Sequence, residues 1–365
     1  MRVIVSGGGT GGHINPAIAI AKYIKEKEPD SEILYVGTEH GLEKKLVPAQ
    51  NIDIEYIDVY GLKRSLSPMN IVYGIKAIRA VSEGKKIIEK FRPDIVIGTG
   101  GYVCGPLLYA ASKMGVPTII HEQNVFPGLT VKLLADKVSA VATSFDTTKN
   151  YLKKRKKIVL TGNPVRADLL KVTRYEARLK FNLDEKPTVL IMGGSLGAKS
   201  INDALAEIVI KNLAEGYNII ASTGERNYDA VMEKIKESGA GIPQNITIMP
   251  YIYNTDFAFA ASDLIVCRTG AVTVSELAAS GKPSIVVPSP NVAHNHQEYN
   301  AKYLSDRGAA VLIHDSELTG VKLDAEIKTL INDKKLLDEM SSKAKTAAIF
   351  DATDKIYTAA KKLIK

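Results

Sequence analysis

The amino-acid sequence predicts an α/β protein built from two doubly wound domains with parallel sheets. Short apolar runs alternate with helical patterns along the chain, which is typical of a parallel sheet covered on both faces. A glycine-rich turn between a strand and a helix occurs twice, in "VIVSGGGTGGHINPAIAIA" and in "TVLIMGGSLGAKSINDAL". Because 365 residues with 45% hydrophobic content exceed one ordinary core, two domains with a cleft between them are expected.

Apolar runs bounded by turn residues predict the strands of each half. In the first half we expect strands to begin near Val3, Ile33, Ile54, Ile95, Thr118, Val141 and Ile158. In the second half we expect them near Val189, Ile219, Ile246, Leu264, Ile285 and Val311. The turn cluster "TGNPVR" predicts the border, so the domains should cover residues 1–163 and 164–345. Residues 346–365 should form an amphipathic helix that packs on either domain, with a return to the first domain as one possibility.

Composition narrows the classes of partner. A net charge of +8 and a pI near 9.1 favour acidic partners, meaning nucleic acid, an anionic lipid surface or phosphorylated substrates. Cys104 and Cys267 lie in different halves without metal-type spacing, which favours a reduced cytoplasmic protein. No run has the length of a membrane span, and the N-terminus lacks the regions of a signal peptide. We therefore expect a cytoplasmic protein that can still lie on a membrane.

The first glycine turn, from Gly7 to Gly12, fits the dinucleotide pattern G-x-G-x-x-G. A nicotinamide site also needs an acidic residue at the end of the second strand. That strand, "SEILYVG", ends in glycine and Glu39 follows it, which weakens a dehydrogenase interpretation without excluding it. Asn15 is the expected N-cap and Pro16 the first residue of the following helix.

Two groups of polar residues follow predicted strands of the first half. His13 should stand just ahead of the helix, beside backbone donors, and stay neutral at pH 7, which suits a general base. A hydrogen-bonded loop histidine explains the same position equally well. The segment "HEQN", His121–Asn124, lies where open α/β sheets bind ligands, or else forms a network of buried polar groups.

The second half offers two places for phosphate. The turn "GGSLGA" lacks the lysine of a P-loop, but Ser195 can supply a hydroxyl beside the backbone amides. The segment "RTGAVTVSELAASGKP" predicts a helix that opens at Thr269 and Gly270 and ends at Gly281. The amides from Ala271 to Thr273 would then form the second place for phosphate.

Polar side chains beside these turns suit a sugar nucleotide. Glu276 could accept both hydroxyls of a ribose, although the helix dipole also favours a glutamate there. Gln297 and Asn300 share a helix face and could contact sugar hydroxyls. His294 and His296 have no acidic or cysteine partner at recognisable ligand spacing, so a metal is not expected there. No cofactor is expected for the chain.

Taken together, the motifs resemble the MurG family. They are "GGTGGHINPAIAIA", "GTGGYVCGP", "HEQN", "GNPVR", "GGSLGA", "RTGAVTVSELAASGKPSIVVP" and "HQEYNA", in order from Gly8 to about Ala301. The resemblance implies the GT-B fold and an inverting transfer of N-acetylglucosamine from UDP-N-acetylglucosamine (UDP-GlcNAc) to the undecaprenyl-linked muramyl precursor of peptidoglycan, lipid I. The letters "HNH" before Gln297 depart from the usual pattern of the family.

The resemblance also implies the residues of the donor site. Arg166 and the backbone of Ile252 would contact the uracil, and Glu276 would take the ribose hydroxyls. The diphosphate would lie against Ser195 and the first turn of the helix after Gly270, the donor sugar against Gln297 and Asn300, with Asn124 reaching across the cleft. The implied donor-binding set is Thr10, Gly11, Gly12, Asn124, Arg166, Ser195, Ile252, Ala271, Val272, Thr273, Val274, Ser275, Glu276, Gln297 and Asn300.

The acceptor is expected on the first domain. Its pyrophosphate would lie near the loop of Thr10, Gly11 and Gly12, and the further residues implied there are Gly8, Gly9, Gly100, Gly101 and Tyr102. His13 is the expected general base. The implied partners are UDP-GlcNAc, lipid I, an anionic membrane surface and proteins of cell-wall synthesis or division, without nucleic acid. The implied location is the cytoplasmic side of the cell membrane.

A lipid-linked acceptor requires a membrane-facing surface, and the segment "GLKRSLSPMNIVYGIKAIRAVSEGKK" suits one. Ser67 and Pro68 should begin its helix, and Ile71, Ile75 and Ile78 form one stripe. Its positive residues are Lys63, Arg64, Lys76, Arg79, Lys85 and Lys86. We expect the loop and the helix start to contact lipid while much of the isoleucine stripe packs inward.

Three other functions are compatible with the sequence. A transferase with another lipid acceptor would keep the donor motifs and change the first domain. An epimerase of the same fold would act on UDP-GlcNAc alone. A non-enzymatic nucleotide-binding protein would bind the donor without releasing UDP.

Overall fold

The computed structural model describes residues 1–61, 68–152, 157–194 and 196–364, apart from the side chain of Ala167. Contacts divide the chain into two compact units. The first unit comprises Met1–Pro164 and Ile349–Lys365, and the second comprises Val165–Ala348. Each unit contains one parallel sheet with helices, as the sequence predicts.

The first unit has a seven-stranded sheet in the order β3-β2-β1-β4-β5-β6-β7. Its strands are β1 (Arg2–Ser6), β2 (Glu32–Gly37), β3 (Asp53–Tyr56), β4 (Ile95–Gly98), β5 (Thr118–Glu122), β6 (Ala140–Thr143) and β7 (Ile158–Leu160). Its helices are α1 (Gly11–Lys27), α2 (Glu43–Leu46), α3 (Met69–Phe91), α4 (Gly101–Lys113), α5 (Leu129–Leu134) and α14 (Ala352–Ile364), with 3₁₀ turns at Pro48–Gln50 and Asp146–Tyr151.

The second unit has a six-stranded sheet in the order β10-β9-β8-β11-β12-β13. Its strands are β8 (Thr188–Met192), β9 (Asn218–Ser222), β10 (Ile246–Met249), β11 (Leu264–Cys267), β12 (Ser284–Val286) and β13 (Ala310–Leu312). Its helices are α6 (Arg174–Lys180), α7 (Lys199–Ile210), α8 (Glu225–Glu237), α9 (Thr255–Ala261), α10 (Ala271–Ser280), α11 (His296–Ser305), α12 (Gly320–Ile331) and α13 (Lys334–Thr346). Three 3₁₀ turns lie at Ala167–Leu170, Ala293–Asn295 and Asp315–Glu317.

Every predicted strand is present and begins within one residue of its predicted start. The first sheet is buried on both faces because successive side chains of a strand point to opposite sides. Ile4 packs in the hydrophobic cluster on one face, whereas Val3 and Val5 pack in the cluster on the other. The first sheet is therefore covered on both faces, which explains why its strands are nearly continuous apolar runs.

The C-terminal helix α14 packs against α1 within the first unit. Ile356 and Ala360 are fully buried in the cluster that contains the apolar face of α1. Glu28, just after α1, accepts hydrogen bonds of 2.7 Å from the Tyr357 hydroxyl and from Lys361 Nζ. These contacts lower the pKa of Glu28 to about 2, with the Lys361 hydrogen bond as the largest cause.

The predicted start of α1 is wrong. The helix begins at Gly11 with Thr10 as its N-cap, so Asn15 is not the cap and Pro16 lies inside the helix. The amides of His13 and Ile14 both donate to the Thr10 carbonyl, which closes the first turn before the proline is reached. Pro16 is the sixth residue of the helix, so it removes one intrahelical bond, that to the carbonyl of the exposed Gly12. His13 is consequently the third residue of the helix and does not precede it.

Each sheet has one point where the strand order reverses direction. In the first unit it lies between β1 and β4, and in the second between β8 and β11. Open α/β sheets bind ligands at the carboxyl ends of the strands beside such a point. Both glycine-rich turns, after β1 and after β8, lie at these positions.

The expectation that the isoleucine stripe of α3 packs inward is wrong. Ile71, Ile75 and Ile78 are 71%, 50% and 74% exposed, and α3 turns residues such as Ala80 and Ile88 toward the core. The predicted loop and Ser67 lie outside the described residues, and α3 begins at Met69 after Pro68. Within the described part of the chain, no helix combines the length and apolarity needed to cross a membrane.

Candidate active site

A cavity of about 640 Å³ lies at the switch point of the second sheet. One wall is the glycine-rich turn after β8, including Gly193, Gly194 and Gly197. The positive φ angles of Gly194 (+89°) and Gly197 (+74°) explain why this turn needs glycine. The opposite wall comes from the residues after β11 and from the start of α11. This volume suits a nucleotide-sized ligand.

Helix α10 begins at this cavity. Gly270 is its N-cap and lines the cavity together with Thr273, and Gly281 ends the helix in the left-handed conformation at φ +60°, as predicted. The turn before α10 is held from α11. Asn300 Nδ2 donates to the Thr269 carbonyl at 3.0 Å, and Thr269 Oγ1 donates to the Gln297 carbonyl at 2.7 Å. The positive end of the α10 dipole therefore faces a cavity with a fixed rim.

Gln297 and Asn300 do not play equivalent structural parts. Gln297 lines the cavity, and its Oε1 accepts a hydrogen bond from the Ser289 amide at 2.9 Å. Asn300 is fully buried behind the rim. The structure therefore brings Gln297 to the cavity surface and uses Asn300 to hold the backbone at Thr269.

Arg166 and Glu276 meet in the second unit. Arg166 Nε lies 3.0 Å from Glu276 Oε1, and the glutamate is 7% exposed. Burial raises the pKa of Glu276, whereas the charge of Arg166 opposes that rise. A buried carboxylate with one guanidinium partner can accept further hydrogen bonds, as a pair of ribose hydroxyls would donate.

The remaining predicted donor residues fall into three groups. Ser195 lies outside the described residues. Val272, Thr273 and Ser275 are partly exposed on α10, with Ser275 Oγ donating to the Ala271 carbonyl. Those that are buried are Ile252, Ala271 and Val274.

Arg268 is a cation of the cavity lining that was not predicted from the sequence. Its Nη1 lies 2.5 Å from Asp315 Oδ1 and donates at 3.1 Å to the carbonyls of Val287 and Pro288. Both Arg268 and Asp315 line the cavity. The sequence feature that could have identified Arg268 is its position directly after β11, at the carboxyl end of a central strand.

In the first unit, the two predicted acceptor loops touch each other. A Cβ on Gly101 would lie 2.3 Å from the Gly8 carbonyl oxygen, so these loops require glycine for close approach. A Cβ on Gly9 would meet the ring of Tyr102 at 3.0 Å. The strands β1 and β4 that precede the loops are neighbours, which brings the loops together at the switch point.

His13 lies in this group and is held by two oxygens. Its Nδ1 is 3.0 Å from the Thr99 carbonyl and 3.0 Å from Gln123 Oε1. Its ring packs against Gly100, where a Cβ would lie 2.8 Å from Nδ1. Thr10 and Gly12 are exposed and Gly11 is partly exposed in the same first turn. The imidazole is partly exposed, with Nε2 as the ring nitrogen opposite the held one.

The segment "HEQN" forms a network of buried polar groups. His121, Glu122 and Gln123 are each at most 2% exposed, and Gln123 reaches His13 from this network. Glu122 accepts hydrogen bonds from the Asn124 and Gly128 amides, both at 2.8 Å, and from Asn124 Nδ2 at 3.2 Å. Burial lowers the pKa of His121 to about 4, so this ring is neutral at physiological pH. Of the four residues, only Asn124 is partly exposed.

Glu43 is a second site residue that was not predicted from the sequence. Its buried carboxylate accepts hydrogen bonds from the Thr38 amide at 3.1 Å, from Thr38 Oγ1 at 2.7 Å and from the Gly9 amide at 3.4 Å. Glu43 therefore holds the backbone of the first glycine-rich turn at Gly9. No local pattern identifies it, because Glu43 opens a four-residue helix after the "GTEHG" turn.

Comparison with known proteins places these features in one family. The glycosyltransferase family 28 N-terminal domain matches residues 3–143, and the family 28 C-terminal domain matches residues 188–356. The chain is 49% identical, over 100% of its length and 99% of the relative, to the UDP-N-acetylglucosamine–N-acetylmuramyl-(pentapeptide) pyrophosphoryl-undecaprenol N-acetylglucosamine transferase of Acetivibrio thermocellus. It also resembles the crystal structure of Acinetobacter baumannii MurG, at 33% identity and a TM-score of 0.81 over 99% of both chains. A UDP-GlcNAc 2-epimerase from Neisseria meningitidis shares the fold alone, at 16% identity and a TM-score of 0.69 over 99% of this chain and 100% of that one.

Proposed function

The chain belongs to the MurG family within glycosyltransferase family 28, and we infer from this that it is a UDP-GlcNAc-dependent N-acetylglucosaminyltransferase. It transfers N-acetylglucosamine to the 4-hydroxyl of the muramyl sugar in undecaprenyl-pyrophosphoryl-MurNAc-pentapeptide, a step of peptidoglycan synthesis. Its GT-B fold, with two Rossmann-like units, is that of the MurG crystal structure. The observation that carries this function best is a glycine-rich turn at the switch point of each sheet, because both substrates contain a pyrophosphate.

We propose that the second unit holds UDP-GlcNAc in the 640 Å³ cavity. The start of α10, around Gly270 and Thr273, would meet the diphosphate with the positive end of the helix dipole. Gln297 on the opposite wall would contact the sugar, while Asn300 would contribute by holding the rim. Glu276 would accept the ribose hydroxyls, and Arg166 beside it would contact the uracil.

We propose that the first unit holds the acceptor and the base. The touching loops around Gly8, Gly9, Gly100, Gly101 and Tyr102 would bind the acceptor's pyrophosphate, with Thr10 to Gly12 contributing the first turn of α1. His13 in the same turn would take the proton of the 4-hydroxyl at Nε2. Its position among the loops, with Nδ1 held by two oxygens, supports this role.

The proposed reaction is a direct displacement. The 4-hydroxyl oxygen forms a bond to the anomeric carbon of the donor as its proton passes to His13. The bond from that carbon to the β-phosphate oxygen breaks, and the electron pair leaves with UDP from the opposite face. The fixed amides and dipole of α10 stabilise the departing charge without reorganisation, which is often a large contribution to catalysis. The anomeric configuration is inverted.

We propose that α3 contacts the membrane from which the lipid-linked acceptor is taken. Ile71, Ile75 and Ile78 present an exposed apolar stripe at i, i+4 and i+7, and Met69 and Val72 extend it at the helix start. Exposed Arg79, Lys85 and Lys86 follow along the helix. Each basic residue near an anionic surface contributes about 1 kcal/mol of attraction.

This surface supports a location at the cytoplasmic face of the cell membrane, where the protein would act peripherally. Supply of the lipid-linked disaccharide product would tie its activity to cell shape and division, and proteins of cell-wall synthesis or division are the partners we expect.

The experiment that tests the function measures UDP release from UDP-GlcNAc with and without a short-chain lipid I analogue. A transferase releases UDP with the acceptor present and forms a lipid-linked disaccharide. Conversion of UDP-GlcNAc alone into an isomeric sugar nucleotide would instead identify an epimerase. Transfer to a different lipid-linked sugar, with the lipid I analogue inert, would identify another acceptor class.

A further inference from the structure

We propose that Gln123 is a positioning residue that fixes His13 in the Nδ1–H tautomer and leaves the lone pair on Nε2. His121, behind Gln123, sets the orientation of the Gln123 amide. The inference deepens the proposed function and rests on it, because it concerns the ring nitrogen that would take the acceptor's proton. It depends on three hydrogen bonds whose directions determine one another.

The first bond fixes His121. Its Nε2 lies 2.9 Å from the Gly162 carbonyl oxygen, which can only accept a hydrogen bond. The proton of this buried ring is therefore on Nε2, and Nδ1 carries the lone pair. The neutral state follows from burial, which lowers the pKa of His121 to about 4. A neutral imidazole donates from one nitrogen and accepts at the other.

The second bond fixes the Gln123 amide. Its Nε2 lies 2.9 Å from His121 Nδ1 and 3.2 Å from the His121 carbonyl, and both of these atoms are acceptors. The NH₂ group must face them, since the reversed amide would place its oxygen against two further acceptors. Gln123 Oε1 consequently points to the other side, toward His13.

The third bond fixes His13. Its Nδ1 lies 3.0 Å from Gln123 Oε1 and 3.0 Å from the Thr99 carbonyl, so both neighbours of this nitrogen are oxygens that accept. The proton of the neutral ring is therefore on Nδ1. The hydrogen bond at one ring nitrogen decides which nitrogen is protonated, and here it leaves Nε2 as the base.

This arrangement has a consequence for the proton transfer. When Nε2 takes the proton of the acceptor hydroxyl, Nδ1–H remains bonded to the same two oxygens, and no other proton in the chain of bonds moves. The two oxygens then face an imidazolium donor, and hydrogen bonds from charged donors are stronger than neutral ones. Gln123 thus holds the ring both before and after the transfer.

The test is an NMR measurement of the tautomer on the full chain labelled with ¹⁵N-histidine. Spectra are recorded well above the ordinary histidine pKa of about 6.5, and His13 is assigned from the signals that His13→Asn removes. We expect long-range ¹H–¹⁵N correlations of the Nδ1–H form for His13 and of the Nε2–H form for His121. A wild-type His13 in the Nε2–H form would overturn the proposal without any variant.

Gln123→Met supplies the second readout, because it keeps the approximate length and removes the amide. We expect the Nδ1–H form of His13 to lose population to the Nε2–H form, because only the Thr99 carbonyl still accepts at Nδ1. We expect kcat to fall roughly 10- to 100-fold, while the KM for UDP-GlcNAc is unchanged. The matched control is Thr118→Val, which removes a buried hydrogen-bonding group from the opposite end of β5. Unchanged His13 signals and kcat in Gln123→Met would contradict the positioning role.

The tautomer of His13 and the transferase activity can be tested independently. The tautomer is read from the resting protein and does not require turnover. A wild-type chain that shows His13 in the Nδ1–H form, shifts toward the Nε2–H form in Gln123→Met and yet releases no UDP with the acceptor would support the positioning role and contradict the transferase function.

Discussion

Arg166 and Glu276 form an ion pair within the second unit, with Arg166 Nε 3.0 Å from Glu276 Oε1. The carboxylate is almost fully buried, and burial raises its pKa despite the adjacent guanidinium. A pKa higher in the folded than in the unfolded chain means that ionised Glu276 costs stability. This cost is absent at low pH and develops as the pH rises above the ordinary glutamate value of 4.5. Ligand binding therefore explains the presence of a buried glutamate at this position better than a contribution to stability does.

Glu276→Gln should separate the contribution of this residue to ligand binding from its contribution to stability. We expect the free energy of unfolding at neutral pH to stay equal or to rise, because the buried charge is removed. The affinity for UDP-GlcNAc should fall about 10- to 100-fold, since a hydrogen bond to a charged group contributes about 1.5–3 kcal/mol. Denaturant unfolding measures the free energy of unfolding, and calorimetric titration measures the affinity for UDP-GlcNAc. Glu317→Gln, which removes a largely exposed partner of Lys322, is the control that should keep donor affinity. Normal affinity in Glu276→Gln would disprove the ribose contact.

His13→Ala removes the proposed base. We expect kcat to fall about 10²–10⁴-fold, as the loss of general base catalysis predicts, with the dissociation constant of UDP-GlcNAc unchanged because the donor cavity lies in the second unit. Lys22→Ala, an exposed position nine residues further along α1, is the control for changes to this helix. Near-normal turnover of His13→Ala would exclude it as the base.

Gly100→Ala tests how closely the loop packs on His13. The added Cβ would lie 2.8 Å from His13 Nδ1, and the φ of +101° already disfavours a side chain. We expect the imidazole to be displaced and kcat to fall at least tenfold. Gly115→Ala is the matched control, since its φ is +76° and no atom lies within 4 Å of the new Cβ. It should lose about 1 kcal/mol of stability and keep its kcat. Equal kcat losses in the two variants would point to strain alone.

The exposed stripe of α3 predicts lipid binding. The double variant Ile71→Ser and Ile78→Ser should weaken binding to anionic vesicles by at least tenfold, because burying one such side chain contributes about 1.5–3 kcal/mol. The thermal midpoint should change little, since both side chains are exposed in the folded chain. Leu179→Ser, at a position 63% exposed in the second unit, is the control. Unaltered vesicle binding by the double variant would show that the stripe of α3 does not contact lipid.

The sequence predicted the sheets well because their signals are local. Strands such as β4 and β11 are short runs of β-branched or aliphatic residues bounded by turn residues, and Gly281 marks the end of α10 by its left-handed conformation. The start of α1 was mistaken because Asn15–Pro16 is a strong local signal for a helix start. In the structure the amides of His13 and Ile14 instead donate to the Thr10 carbonyl, so the helix begins at Gly11.

Contacts between distant segments could not be predicted in the same way. Glu43 reaches Gly9 across 34 positions, and Gln123 reaches His13 across 110, so no sequence spacing connects them. The inward packing expected for Ile75 failed for a related reason. A helical stripe identifies an apolar face, but only the packing of the whole helix decides whether that face meets the core or solvent.

Inverting transfer of the donor sugar is the reaction proposed for this enzyme, and the structure of the isolated product reveals whether it occurs. UDP-GlcNAc labelled in the sugar is incubated with the full chain and a short-chain lipid I analogue, and the linkage of the product is read by NMR. We predict a label joined to the 4-position of the muramyl sugar in the β configuration, starting from the α configuration of the donor. An α-linked product, or a label that never enters the acceptor, would contradict inverting transfer to the muramyl sugar.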